Sequence, residues 1–141
     1  MAQLFEFAGN HWALCIALVV ILAAIIANEL LLMLQGGRAL EPDQATRLYN
    51  RDDAVFVDLR GENAYLSAHL PGAVNLPLAQ LEQKLEKLKQ YGERPVIVYD
   101  ETGYKSRKAG SKLKKLGIAN VYQLKGGFGA WQGAGLPTKS K

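Results

Sequence analysis

The chain has 141 residues, with 17 Lys and Arg against 13 Asp and Glu, two histidines and one cysteine, Cys15. That length holds one domain of ordinary size with little left over. A single cysteine excludes a disulfide framework and a multi-thiolate metal site, and 49% apolar residues argue against disorder. The two histidines, His11 and His69, would need several carboxylates beside them to hold zinc, so no metal site and no cofactor is expected. Charge is unevenly spread, because no charged residue lies between Glu6 and Glu29.

Residues 1–11 contain no Lys or Arg and read as a short N-terminal segment. Trp12 to Leu34 (WALCIALVVILAAIIANELLLML) is apolar without interruption to Ala27, then carries Asn28 and Glu29, then five more apolar residues. At about 1.5 Å per residue it would cover about 34 Å, enough for a hydrocarbon core of about 30 Å. A signal peptide would want a basic start and a small-x-small cleavage site, and Ile25, Ile26 and Ala27 are a poor match. The segment is therefore expected to be a transmembrane helix over 12–34. All 17 Lys and Arg follow it, beginning at Arg38. The positive-inside rule then places the N-terminus outside the cytoplasm and the rest inside it.

Residues 35–38, Gln35-Gly36-Gly37-Arg38, read as a short flexible linker, 39–137 as a domain and 138–141 as a tail. From Arg38 onward there are 11 acids and 17 bases, a net of +6. A basic domain tethered to a membrane should be attracted to anionic lipid. Within it, Pro42 to Tyr49 reads as a helix opened by proline. Ala54 to Asp58 reads as a buried strand, Glu62 to Ala68 as a short helix and Ala73 to Asn75 as a brief strand. Pro77 opens a helix with Leu78, Leu81, Leu85 and Leu88 on one face, ending near Gly92. Pro95 to Tyr99 is a second buried strand and Lys105 to Leu116 a basic helix stopped by Gly117. Val121 to Leu124 is a third strand, followed by a tight backbone passage at Gly126-Gly127. Strands alternating with helices imply an α/β fold with a mostly parallel sheet covered on both faces.

Ligands of such sheets gather at the carboxyl ends of the strands. The loop after PVIVY, Asp100-Glu101-Thr102-Gly103-Tyr104-Lys105-Ser106, leads into a helix and aims backbone N–H groups at one spot that favours an anion. Asp100 stands first. Its carboxylate can fill that spot itself as a cap, or act as a nucleophile. Asp58 and Arg60 end the first long strand, where an ion pair within the fold is expected of Arg60. His69 in AHLPGA is expected to be hydrogen-bonded within the structure rather than catalytic.

These residues carry a pattern. VDLRGENAYLSAHLPGAVNLP (Val57 to Pro77) resembles the rhodanese-like sulfurtransferase signature at Asp58, Arg60, Tyr65, His69, Gly72, Ala73 and Asn75. VYQLKGGFGAW (Val121 to Trp131) is similar to the family's second signature, with Gly126, Gly127 and Trp131 in place. The resemblance implies a rhodanese-like fold over roughly Ala39 to Pro137. It also implies an active loop of the form C-x-x-G-x-R-S, against which this chain sets Asp100, Gly103, Lys105 and Ser106. The nucleophilic cysteine, which in active members carries a sulfane sulfur as a persulfide, is replaced by Asp100. Cys15, in the apolar segment, is expected across the bilayer from this loop. A rhodanese domain behind one N-terminal membrane helix further resembles a small group of bacterial inner-membrane proteins.

Three functions are open on this reading. The first is a membrane-anchored rhodanese-like module without sulfurtransferase activity, working by binding a membrane or cytoplasmic protein, or a small anion in the loop. The second is an enzyme assisting persulfide transfer with a thiol-bearing partner. The third is an aspartate-dependent phosphatase. The expected partners include the lipid bilayer and no nucleic acid.

Overall fold

The computed structural model describes residues 1–35 and 37–140. The break expected at Gly36 and the last residue of the tail, Lys141, lie outside the described residues. The chain divides into two compact units, residues 1–32 and 33–141.

The first unit is helical. α1 (Ala2–Asn10) ends at His11, whose φ of −127° and ψ of 38° leave the helical region, and α2 (Trp12–Gln35) follows. Trp12–Leu31 has a mean hydropathy of 2.7 and none of it is buried, so α2 is long and apolar enough to cross a membrane. A helix apolar on every side finds no aqueous surface it can tolerate, which is why length and composition together mark it. Cys15 lies in α2, outside the domain. α1 was not expected, since AQLFEFAGN has neither a capping side chain nor charge at its ends to announce it.

The second unit is an α/β domain. In chain order it runs β1 (Arg38–Leu40), α3 (Pro42–Asp52), β2 (Val55–Asp58), α4 (Glu62–Ser67), β3 (Val74–Asn75), α5 (Leu85–Lys89), β4 (Val96–Tyr99), α6 (Tyr104–Lys115), β5 (Val121–Leu124) and α7 (Gly127–Gly133). The five strands form one parallel sheet in the order β1-β5-β4-β2-β3. Val57 stands in register with Val98, and Val98 with Gln123. Strands read as continuous apolar runs because both faces are covered. Phe56, Ile97, Tyr99 and Leu124 face one core with Trp131 and Phe128. Val57, Val96, Val98 and Val121 face the other with Leu76, Leu81 and Leu113.

Three expectations are corrected and one unforeseen helix is found. The helix expected from Pro77 to Gly92 is instead a 3-10 turn at Leu78–Gln80, further turns and the five-residue α5. Neither Pro77 nor Lys84 caps a helix with its side chain, and Leu81 reaches the core at the end of a tight i to i+3 turn and Leu88 from α5. Arg38, expected in the linker, begins β1; three residues are too few to show an alternation, and the neighbouring edge of β5 supplies their partners. Beyond the Gly126-Gly127 passage no element is expected from sequence, and Gly127 to Gly133 forms α7. Three glycines argue against a helix, but Phe128 and Trp131, three residues apart, are both buried and override that propensity. Lys139, expected in the tail, exchanges two backbone hydrogen bonds of 2.8 Å with His69.

Candidate functional site

The carboxyl ends of β2, β4 and β5 meet at one end of the sheet. β4 ends at Tyr99, and Asp100 follows it as a nearly buried residue, 4% exposed. Asp100 Oδ2 accepts the Lys105 N–H at 2.9 Å and Oδ1 accepts the Ser106 hydroxyl at 2.7 Å. Lys105 and Ser106 are the second and third residues of α6, so Asp100 satisfies one amide, that of Lys105, which the helix start leaves without a partner, and ties down the Ser106 side chain as well. Of the two roles open to Asp100 from sequence, capping is the one its hydrogen bonds describe.

The loop is held from below by backbone. Gly103 at φ +89° turns the chain into α6. The Asp100 carbonyl accepts the Phe128 N–H at 2.8 Å, and the Glu101 carbonyl accepts the Gly129 N–H at 3.1 Å. The first amides of α7 therefore grip the loop's carbonyls. The contact requires glycine on both sides. A Cβ on Gly127, at φ +62°, would stand 2.4 Å from the Asp100 carbonyl oxygen, and one on Gly103 would stand 3.0 Å from the Gly126 nitrogen.

Beside the loop lies a buried polar cluster. Asp58, fully buried, accepts the Arg60 N–H at 2.8 Å, the Arg60 guanidinium through both oxygens, and the Tyr99 hydroxyl at 2.9 Å. Tyr99 in turn accepts the Leu70 N–H at 3.2 Å. Arg60 also reaches Glu101 of the loop at 3.2 Å and lies 4.0 Å from the Phe128 ring centroid. This one guanidinium thus ties the end of β2 to the loop and to α7. Burial works to lower the Arg60 pKa, but the Asp58 carboxylate outweighs it and the net shift is upward. Burial, then the Asp58 charge, push the Tyr99 pKa far up.

The other residues singled out from sequence have structural partners. His69 is nearly buried, with Nδ1 2.8 Å from the Tyr65 carbonyl and its ring stacked on Tyr65. A carbonyl only accepts, so Nδ1 carries the proton. Gly72 turns at φ +69° beneath the Tyr49 hydroxyl. Trp131 donates Nε1–H to the Pro137 carbonyl at 2.9 Å and packs edge-on against Phe56. Within the loop, Thr102, Tyr104 and Lys105 are exposed, Tyr104 at 88%, so Lys105 serves Asp100 through its backbone and not its ammonium. Tyr99 and Phe128 were missed. The one available signal for Tyr99 was a hydroxyl-bearing residue closing an otherwise aliphatic strand.

The Tyr99 hydroxyl has a measurable signature. Above about pH 10 the unfolded chain ionises this tyrosine while the folded domain keeps it protonated, so stability falls as pH rises, by up to about 1.4 kcal/mol per pH unit for this group. Tyr99→Phe is expected to be about 1–3 kcal/mol less stable at neutral pH, since it leaves the buried Leu70 N–H without a partner. It is also expected to show a shallower alkaline decline. Urea unfolding at several values between about pH 9 and 11 measures both, and an unchanged slope would refute the assignment.

Comparison with known proteins comes to the same domain. The family model for the rhodanese-like domain matches residues 41–134. YibN of Escherichia coli K12, described as uncharacterized, is 32% identical over 138 residues, which is 97% of this chain and 96% of that one. The thiosulfate sulfurtransferase GlpE of Coxiella burnetii is 34% identical over 89 residues, 63% of this chain and 81% of that one. Among solved structures, a rhodanese-related protein from Thermoplasma volcanium matches at a TM-score of 0.66 and 20% identity, covering 74% of this chain and 99% of that one. A thiosulfate sulfurtransferase from Pseudomonas aeruginosa matches at 0.65 and 27% identity, over 74% of this chain and 20% of that one.

Proposed function

Because the chain belongs to the rhodanese-like domain family, we propose that it is a membrane-tethered member that has lost sulfur transfer and works by binding. The observation that carries this reading is Asp100. It stands where the family's active loop begins with cysteine, and both its oxygens are taken up by the Lys105 N–H and the Ser106 hydroxyl. Persulfide chemistry needs a polarisable thiolate held by loop amides and a helix start. A carboxylate can sit among those donors but cannot carry a transferable sulfur. The only cysteine of the chain, Cys15, belongs to the apolar helix.

In this reading α2 anchors the protein in the inner membrane of a bacterium, with the N-terminus outside and the basic domain against the cytoplasmic leaflet. The position of all 17 Lys and Arg beyond the helix supports that orientation. The partner is a membrane or cytoplasmic protein that meets the loop face, where Tyr104 and Lys105 are exposed. A small anion in the loop is the less favoured ligand, since Asp100 already supplies the negative charge there.

The test uses the full chain in neutral detergent with thiosulfate and cyanide. No thiocyanate above the protein-free rate is expected, and clear turnover would end the proposal. A companion variant asks whether the frame alone is competent. Asp100→Cys in a Cys15→Ser background is expected to gain the mass of one sulfur atom from thiosulfate. The thiolate would attack the sulfane sulfur, a new S–S bond would form, and sulfite would leave with the electron pair of the broken one. Lys105 in place of the family's arginine should keep the yield modest, since an ammonium makes no planar two-point contact with an anion. Mass spectrometry of the intact variant with no sulfur gained would show that more than the cysteine has been lost.

A further inference from the structure

α3 and the edge strand β1 enclose a cleft of about 270 Å³, remote in sequence from the loop of Asp100. Its charged lining is Arg38 from β1 and Arg47 and Arg51 from α3, against a single acid, Asp52. Its apolar lining is Leu40, Leu48 and Tyr122. Arg47 and Arg51 are four residues apart on one helix, a spacing at which like charges repel. Asp43 relieves Arg47 through an exposed ion pair. Among the described residues, Arg38 and Arg51 have neither an ion pair nor a side-chain hydrogen bond. Three arginines thus line one small concavity, and among the described residues only Arg47 of the three has an ion pair.

We propose that this cleft binds the headgroup of an anionic phospholipid. Guanidinium is the side chain best matched to a phosphate, because its planar fork donates two parallel hydrogen bonds. The apolar lining suits the glycerol and first methylenes of a lipid better than it suits a bare, fully hydrated phosphate. Chain order favours the same source, since Arg38 follows α2 after only two intervening residues. The proposal rests on the membrane reading of α2 and is independent of whether sulfur transfer has been lost.

The experiment takes the full chain in neutral detergent and titrates it with short-chain phosphatidylglycerol or phosphatidylcholine, reading lipid retained by native mass spectrometry. Near a membrane surface each basic residue is worth about a fivefold change in affinity, so the variant Arg38→Gln/Arg47→Gln/Arg51→Gln is expected to hold phosphatidylglycerol at least tenfold more weakly, with phosphatidylcholine unchanged. Lys87→Gln/Lys108→Gln/Lys115→Gln removes the same charge from α5 and α6, outside the cleft lining, and is expected to change retention less than about threefold if the cleft holds the headgroup. Equal losses in the two triple variants would mean that net charge alone attracts the lipid, and would overturn the cleft. Equal retention of the two lipids by the unaltered chain would overturn it as well. Glycerol phosphate added as a soluble competitor is expected not to displace the lipid; if it binds the unaltered chain as tightly and the arginine variant loses it, the ligand is a free phosphate ester and the lipid assignment falls. All three arginines are exposed, and should the triple variant nonetheless unfold, Arg38→Gln and Arg51→Gln taken singly are each expected to weaken retention about fivefold. The thiosulfate assay on the same preparation reports on the other proposal separately.

Discussion

Replacing Asp58 by alanine is expected to destabilise the domain by about 3–5 kcal/mol. The carboxylate is fully buried and accepts from the Arg60 backbone, the Arg60 guanidinium and the Tyr99 hydroxyl. Removing it leaves a guanidinium that is 8% exposed without its main counter-charge. Glu101 cannot take over, because its carboxylate is 62% exposed and well solvated. The Tyr99 hydroxyl and the Leu70 N–H behind it would lose their anchor in the same step. Urea unfolding of the full chain in neutral detergent, followed by near-ultraviolet circular dichroism, gives the difference. A double variant, Asp58→Ala with Arg60→Leu, should recover a good part of the loss, because it removes the unpaired charge as well as its partner. A cost below about 1 kcal/mol for Asp58→Ala would show that water or Glu101 compensates the guanidinium, and the clamp described above would have to be abandoned.

Gly127→Ala is expected to be nearly as damaging, at about 3 kcal/mol. The left-handed backbone at φ +62° costs about 1–2 kcal/mol for a residue with a side chain. The added methyl also meets the Asp100 carbonyl oxygen at 2.4 Å and the Gly103 nitrogen at 2.8 Å. Both are backbone atoms that cannot swing aside, and forced overpacking of this kind costs about 1–3 kcal/mol more. Gly133→Ala is the matched control. It closes the same helix, and its added methyl would have nothing within 4 Å. It should be neutral or slightly stabilising by the same unfolding measurement, since alanine restricts the unfolded chain. If the two variants unfold together, backbone contact between α7 and the loop is not what holds Asp100 in place.

The strands of this fold were legible because burial on both faces writes a continuous apolar run. VFVD and VIVY could be read directly, and the parallel sheet followed from the helices between them. Asp100 was legible as the first residue of a strand-to-helix loop, and the rhodanese-like likeness rested on two separated signatures. What could not be read has physical causes. β1 is three residues whose partner strand, β5, is far along the chain, so no local pattern encodes it. α7 is a helix by tertiary demand, with Phe128 and Trp131 outweighing three glycines. The leucines from Leu78 to Leu88 have helical spacing, yet two short turns satisfy the same burial. The arginines of the cleft stand at positions 38, 47 and 51, and only the packing of β1 beside α3 brings them to one place. Tyr99 looked like one more core residue, and its role depends on a carboxylate 41 positions away.

The pairing of β1 with β5 sets an order of events when the protein is made. Arg38 is in register with Tyr122, so among the described residues the first strand of the sheet finds its one neighbour in the last. Chains emerge from the ribosome N-terminus first, and contacts this distant in sequence close late and slowly. The apolar helix is therefore fully synthesised well before the sheet that follows it can shut. Until Leu124 emerges, β1 offers an open edge, and the nascent domain waits on its final strand.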